Sequence, residues 1–437
     1  MGDAVDRKGG IEPKPRRRDK PRSRHRRRNI AIIAAVVVVG LLVAVVGGGY
    51  LYAQYQYDKI HKIKVTTELP VLAGKPFNIL EIGSDSRLGL TGPEAAQTGA
   101  STTPGQRSDV VKIMHVDPAA GTISVLSIPR DTMTTLLANQ SLYGNFNRIN
   151  VNLRNGPSLL AKTITANFGI PINHVIVVSF GGLVNAANAI GGVYLNFPYP
   201  SRDPYSGLNI KHRGCQLVSG LQALAVARSR HFYYNIKGVS TWPHDATSAA
   251  IASSTANGVG NELYNAGWYY DGTSDFGRID RQNAFLRAMI DRVKGLYNPL
   301  TINSFLSKIP QGITLDSNFS LNELIALAVK FHGMNPSTML TYTLPTTSAV
   351  DPAVGDVLFV SQPTAQQMLV NIFGSQLFKP TNPPPNTALQ TPMPPVVAAT
   401  KVVPVKTTTT GTKKAPTTTT TNPSQAVPTF DPVPCTP

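Results

Sequence analysis

Cysteine is nearly missing: the 437-residue chain holds two, Cys215 and Cys435. One pair makes no disulfide framework, and nothing matches the ligand spacing of a zinc site. A bridge between the two is left open. Two signatures are missing outright. No GxxxxGK[ST] occurs, which excludes a P-loop as the phosphate cradle. No GxSxG occurs, so serine hydrolysis lacks its usual nucleophile turn. Acid is short as well: 24 Asp+Glu face 41 Lys+Arg, for a net +17. Charge of either sign is absent from Asn29 to Tyr57.

That uncharged run decides what the basic excess means. Residues 1–28 hold twelve Lys/Arg and four Asp/Glu, a local net of +8. A basic chain invites a nucleic-acid reading. Here the cations stand directly against Ile30–Ala53, IAIIAAVVVVGLLVAVVGGGYLYA. A hydrocarbon core of roughly 30 Å needs about 20 apolar residues, and this segment supplies them. It is longer than the apolar core of a cleavable signal. Tyr50, Tyr52, Tyr55 and Tyr57 follow as an interfacial belt, and Lys/Arg flanks stay inside. The expected layout is a basic cytoplasmic tail (1–29), one transmembrane helix (30–53) and a stalk (54–75). An outer globular domain (76–377) and a disordered Thr/Pro tail (378–437) complete it. The partner is then a cell membrane, and no nucleic-acid role is expected.

Periodicity within the globular part alternates. Asn78–Ile82 reads as a buried strand. Val110–Val116 and Thr122–Ile128 form a hairpin over DPAAG. Ser158–Phe168 is helical by its apolar spacing, followed by a strand at His174–Phe180 and a helix at Gly181–Ile190. Val193–Phe197 is another strand. Ser219 caps a helix to Arg228, and a longer helix runs from Gly277 to about Leu296. Ser320 with Glu323 makes a capping box, and Gly333 stops that helix. The pattern is α/β, with a mixed sheet covered by helices on both faces.

Polar clusters end or follow the strands: Gly83-Ser84-Asp85-Ser86-Arg87, Arg107-Ser108-Asp109, Pro129-Arg130-Asp131 and Arg202-Asp203-Pro204-Tyr205. Each alone is more often a turn or a surface ion pair. Together they fit a site beyond strand ends. Arg228-Ser229-Arg230-His231 closes one helix, and Arg278, Arg281 and Gln282 share one helix face. Cations in a first turn oppose the helix dipole, a conflict that a bound anion relieves. The bland alternative is a solvated turn. Two carboxylates, Asp85 and Asp109, with phosphate oxygens are a Mg²⁺ donor set. Arginines beside a metal suit phosphoryl transfer.

The stretches NILEIGSDSR, RSDVVKIMHVDPAAGTISVLSIPRDT, NRINVN, GIPINHVIVVSFGGLVNAANAIGGV, PYPSRDPYSGLN, GCQLVSGLQALAVARSRH and DFGRIDRQ together resemble the LytR–CpsA–Psr family of bacterial envelope proteins. They run in the family's order over about residues 76–300. The resemblance implies a three-layer α/β/α fold. It implies transfer of a glycopolymer from a polyprenyl-pyrophosphate carrier to peptidoglycan, with arabinogalactan a candidate polymer. It implies Mg²⁺ (or Mn²⁺) at Asp85 and Asp109. Arg107, Arg130, Arg228, Arg230, Arg278 and Gln282 would grip the pyrophosphate, with Arg281 and Arg87 as neighbours. Asp131 or Asp203 would assist geometry or proton transfer. Two positions depart from the pattern: Glu81, where the family is apolar, and Asp280, often basic. Residues 235–274 are an insert. A pyrophosphate hydrolase and a non-catalytic wall-binding protein are the competing readings.

Overall fold

The computed structural model describes residues 46–66, 69–86, 108–243, 263–294, 299–385 and 430–436. The chain divides into a first unit ending at Tyr55 and a second running from Gln56 to Pro437. In the first unit residues 46–55 are helical. Among the described residues no helix is long and apolar enough to cross a membrane. Residues 30–45 of the expected span lie outside the described residues.

The second unit is built on a seven-stranded sheet. Its strands are β1 (His61–Ile63), β2 (Phe77–Ser84), β3 (Ser108–Asp117), β4 (Thr122–Ser127), β5 (His174–Ser179), β6 (Ile313–Asp316) and β7 (Leu340–Thr343). Their order is β1-β6-β5-β2-β3-β4-β7. Pairing is parallel at β1/β6, β5/β2 and β4/β7 and antiparallel elsewhere, so the sheet is mixed. The main helices are α1 (Pro157–Phe168), α2 (Phe180–Ala189), α3 (Gly220–Arg228), α4 (Ser274–Lys294), α5 (Pro299–Lys308), α6 (Leu321–Phe331) and α7 (Thr364–Phe373).

The alternation of side chains along β2 explains why helices cover both faces. Leu80 and Ile82 pack with Val111, Ile113 and Leu126 against α1 and α7. Phe77 and Ile79 pack on the opposite face with Val116, Leu315 and residues of α6. The strand is therefore apolar on both sides. The capping box forms as expected: the Ser320 hydroxyl accepts from the Glu323 amide at 3.2 Å. Ser179 caps α2 by accepting from the Gly182 amide at 3.0 Å. Here α2 meets the Gly312 backbone so closely that a Cβ on Gly182 would lie 2.3 Å from the Gly312 carbonyl oxygen. Only glycine fits.

Two boundary expectations are corrected. Residues 56–66 of the presumed stalk are part of the fold of the second unit. His61–Ile63 is the edge strand, Tyr57 and Ile60 are buried, and the Tyr57 hydroxyl donates to the Phe319 carbonyl at 2.6 Å. Its apolar residues have a core to enter, which a solvated spacer would not offer. The presumed disordered tail is also ordered at its far end. Val433–Pro434 pairs with the strand Val193–Phe197, and Cys435 is bonded to Cys215. Phe430 stacks on Tyr234 with centroids 4.6 Å apart. Residues 386–429 lie outside the described residues.

Asp431 carries a pH dependence. Burial pushes its carboxyl up to about 6, against the pull of Arg281. The folded chain thus holds this proton longer than the unfolded one. Its contribution to stability is full below the ordinary value of 3.8 and is lost as pH rises through about 6. The melting temperature should carry a falling component between these values. Asp431→Asn should flatten it; a melting profile unchanged by the substitution would remove Asp431 from the pH response.

Candidate active site

A cavity of about 460 Å³ lies between the sheet and the helices α2 to α5. Its floor includes Glu81, Gly83 and Ser84 of β2 with Val110 and Lys112 of β3. Its apolar wall includes Leu183, Leu224, Phe285, Leu286, Met289 and Phe305. Arg130, Arg228, Arg230, Arg278 and Gln282 also line it. One cavity thus joins a cationic set to an aliphatic and aromatic wall.

The arginines are positioned by backbone and carboxylates. Arg130 follows β4; its Nε lies 3.4 Å from Asp131, which also faces Arg148 at 3.6 Å. Arg148 is anchored in turn by donating to the Val354 and Asp356 carbonyls, both at 2.8 Å. Arg228 ends α3 and lies 4.8 Å above the Phe180 ring. Gln282 donates to the Ala227 carbonyl at 2.9 Å, tying α4 to α3.

Asp203 holds the loop after α3. Its carboxylate is fully buried. One oxygen accepts from the Ser229 hydroxyl at 2.7 Å and from the amides of Arg230 and His231, both at 3.0 Å. The other accepts from the amides of Tyr205 at 2.9 Å and Ser206 at 3.2 Å. Five donors saturate its lone pairs. Its role is to fix the loop.

Helix α4 begins at Ser274, three residues earlier than the spacing suggests, and Asp275 enters its first turn. Asp275 lies 2.6 Å from Arg278 and 3.5 Å from Arg230. Much of the dipole conflict expected for Arg278 is therefore relieved within the chain. The contact is close but poorly aligned, since neither Asp275 oxygen makes a hydrogen bond; the buried Nε of Arg230 makes none either. The signal was present in the sequence as an aspartate three residues before Arg278.

Arg281 is the clear correction. It does not line the cavity. Its guanidinium is fully buried, 2.8 Å from Asp271 and 2.7 Å from Asp431, and donates to the Ser229 carbonyl at 3.0 Å. It also lies 4.5 Å over the Phe232 ring. A hundred-degree step per residue separates its face from that of Gln282, and the acidic partners lie on the inner side. Asp271 and Asp431 neutralise it.

Glu81 is the departure that the structure explains. It stands directly opposite Lys112 in the β2/β3 ladder. Burial raises the Glu81 carboxyl and lowers Lys112 to about 8, while their mutual attraction opposes both shifts. Lys112 donates to the Asn283 side chain. A lone charge in an apolar strand had a partner across the ladder, which spacing along one strand does not show.

Asp85 follows β2, half-buried, and Asp109 is a residue of β3. The ladder shifts register between Gly83 and Ser84, which pairs Ser84 with Ser108 and leaves Asp109 as the extra residue. The backbone therefore brings positions 85 and 109 to one end of adjacent strands. The Asp109 side chain, Arg107 and Arg87 lie outside the described residues. Among the described residues no group of three His, Cys, Asp or Glu is arranged to hold a metal ion.

Comparison with known proteins gives the class. A profile of the LytR_cpsA_psr family matches residues 48–235 and 264–373. The chain belongs to the LytR–CpsA–Psr family. It is 26% identical over 372 residues to the probable cell wall biosynthesis protein LcpB of Corynebacterium glutamicum, covering 82% of this chain and 77% of that one. It is 27% identical over 328 residues to the polyisoprenyl-teichoic acid–peptidoglycan teichoic acid transferase TagV of Bacillus subtilis, covering 71% and 68%. Its fold is similar to a LytR-Csp2A-Psr enzyme from Actinomyces oris, with TM-score 0.52, 18% identity, and coverage of 74% and 97%.

Proposed function

We propose that this protein transfers a glycopolymer from a polyprenyl-pyrophosphate carrier to peptidoglycan, forming a phosphodiester. The observation that carries the reading is the cavity, which joins four arginines and Gln282 to an apolar wall. A pyrophosphate bearing a prenyl chain has the same two parts. The guanidinium groups bind the phosphate oxygens as forks. Leu183, Phe285 and Met289 take the hydrocarbon. Held this way, the phosphorus attached to the sugar is presented to an acceptor hydroxyl. The new P–O bond joins acceptor to glycopolymer, and the broken P–O bond releases polyprenyl phosphate. The arginines stabilise the charge that builds on the transferring group. The relatives named as teichoic acid transferases favour transfer over hydrolysis. Arabinogalactan is a candidate polymer, and the uncharged run 30–53 is the proposed membrane anchor.

The donor set suits a hard cation, because two carboxylates with ligand oxygens are how Mg²⁺ is commonly held. Asp85 and Asp109 would hold Mg²⁺ (or Mn²⁺), which when bound neutralises phosphate charge. Asp85→Ala and Asp109→Ala are each expected to lower turnover by about a hundredfold or more at saturating Mg²⁺, with melting temperatures near that of the parent. Binding of polyprenyl pyrophosphate followed by native mass spectrometry tests the cavity itself. Retention of the pyrophosphate lipid over the corresponding polyprenol supports the reading; equal retention of both overturns it.

A further inference from the structure

A row of exposed aromatic rings begins at the cavity. Tyr205 and His231 both line it, with ring centroids 4.4 Å apart. Tyr270 continues the row 6.3 Å from His231, with its plane within 20° of that ring. Tyr205 is 42% and Tyr270 45% exposed, and His231 is exposed as well. A contiguous exposed apolar patch beside a cavity is a common mark of a ligand-binding surface.

Two rings of the row are held by the group that holds the Arg230 loop. The Asp203 carboxylate that accepts from the Arg230 amide also accepts from the amides of Tyr205 and His231. Tyr270 is fixed by strand pairing with Tyr233, and its hydroxyl donates to the Arg230 carbonyl at 3.4 Å. One buried carboxylate therefore sets the distance between the cationic end of the cavity and the first two rings, and the strand pairing of Tyr270 sets the third. Such pre-organisation suits a ligand that spans both.

We infer that Tyr205, His231 and Tyr270 form a carbohydrate subsite that stacks the first sugars of the pyrophosphate-linked donor. The inference deepens the reading of the cavity and rests on it. A pyranose presents C–H groups of slight positive charge on its flat face, and an aromatic face is electron-rich. A sugar joined to a pyrophosphate at the arginines leaves the cavity beside Arg230. The rings that flank Arg230 are the first surface it meets. A prenyl chain has the apolar wall to occupy, and a free anion gains nothing from an aromatic face. Continuity with the cavity favours the donor sugars over the glycan of the acceptor.

The test uses the full chain and two ligands: polyprenyl pyrophosphate, and the same lipid carrying an N-acetylglucosamine-containing disaccharide. Tyr270→Ala should bind the saccharide-bearing lipid about tenfold more weakly. It should bind the sugar-free lipid as the parent does. Tyr270→Phe, which keeps the ring, should bind both like the parent. Equal affinity of Tyr270→Ala and parent for the saccharide-bearing lipid overturns the subsite. A raised KM for peptidoglycan fragments with unchanged donor binding reassigns the rings to the acceptor and overturns it too. If the parent binds neither lipid, the reading of the cavity fails. The subsite is then judged on soluble N-acetylglucosamine tetramer, whose NMR signals must broaden with the parent and not with Tyr270→Ala, or it fails as well.

Discussion

Arg281→Ala is expected to destabilise the protein by about 3–5 kcal/mol, enough to lower its folded yield before any question of activity arises. The guanidinium stands between Asp271 and Asp431, and both carboxylates are essentially excluded from solvent. Its removal leaves two buried like charges facing each other without a counter-ion. Asp431 also lies in the ordered segment 430–436, so the same substitution should loosen the pairing of Val433–Pro434 with Val193–Phe197. Chemical denaturation reads the loss directly. A variant that unfolds like the parent but no longer binds pyrophosphate lipid would return Arg281 to the ligand-binding set.

Arg130→Ala is expected to act in the opposite way, with turnover falling by about 10²–10³-fold and stability little changed. Arg130 lies on the cavity, its side chain 23% exposed, and its contact with Asp131 is a loose 3.4 Å. A partly solvated ion pair contributes little to stability. Arg130→Lys should be damaging too, because an ammonium cannot present two parallel donors to one phosphate. Parent-like turnover by the lysine variant would argue against a bidentate contact.

These two arginines show where sequence reasoning succeeded and where it stopped. Arg130 follows an apolar strand directly, so its placement at a strand end was legible. The β3/β4 hairpin, the helices α1, α2 and α3, and the capping box at Ser320 followed from local patterns of burial and hydrogen bonding. Arg281 looked equivalent to Arg278 because spacing reports which helix face a residue shares, not what lies opposite. Its partners come from 10 residues earlier and 150 residues later. The tail's composition is unable to bury a core by itself, so its last residues looked solvated. They are held instead by Cys215, by Arg281 and by a strand edge, all distant in sequence. Glu81 looked like an isolated charge for the same reason: Lys112 faces it only once β2 and β3 pair. Asp203 was marked as polar chemistry, and only the folded loops reveal the five donors that occupy it.

The most direct test of the account is a transfer reaction with the purified protein, a polyprenyl-pyrophosphate saccharide, Mg²⁺ and soluble peptidoglycan fragments. The account predicts peptidoglycan joined to the saccharide through a phosphodiester, with polyprenyl phosphate released in equal amount. Saccharide phosphate appearing free in solution, with no conjugate formed in the presence of acceptor, would contradict it and identify a hydrolase.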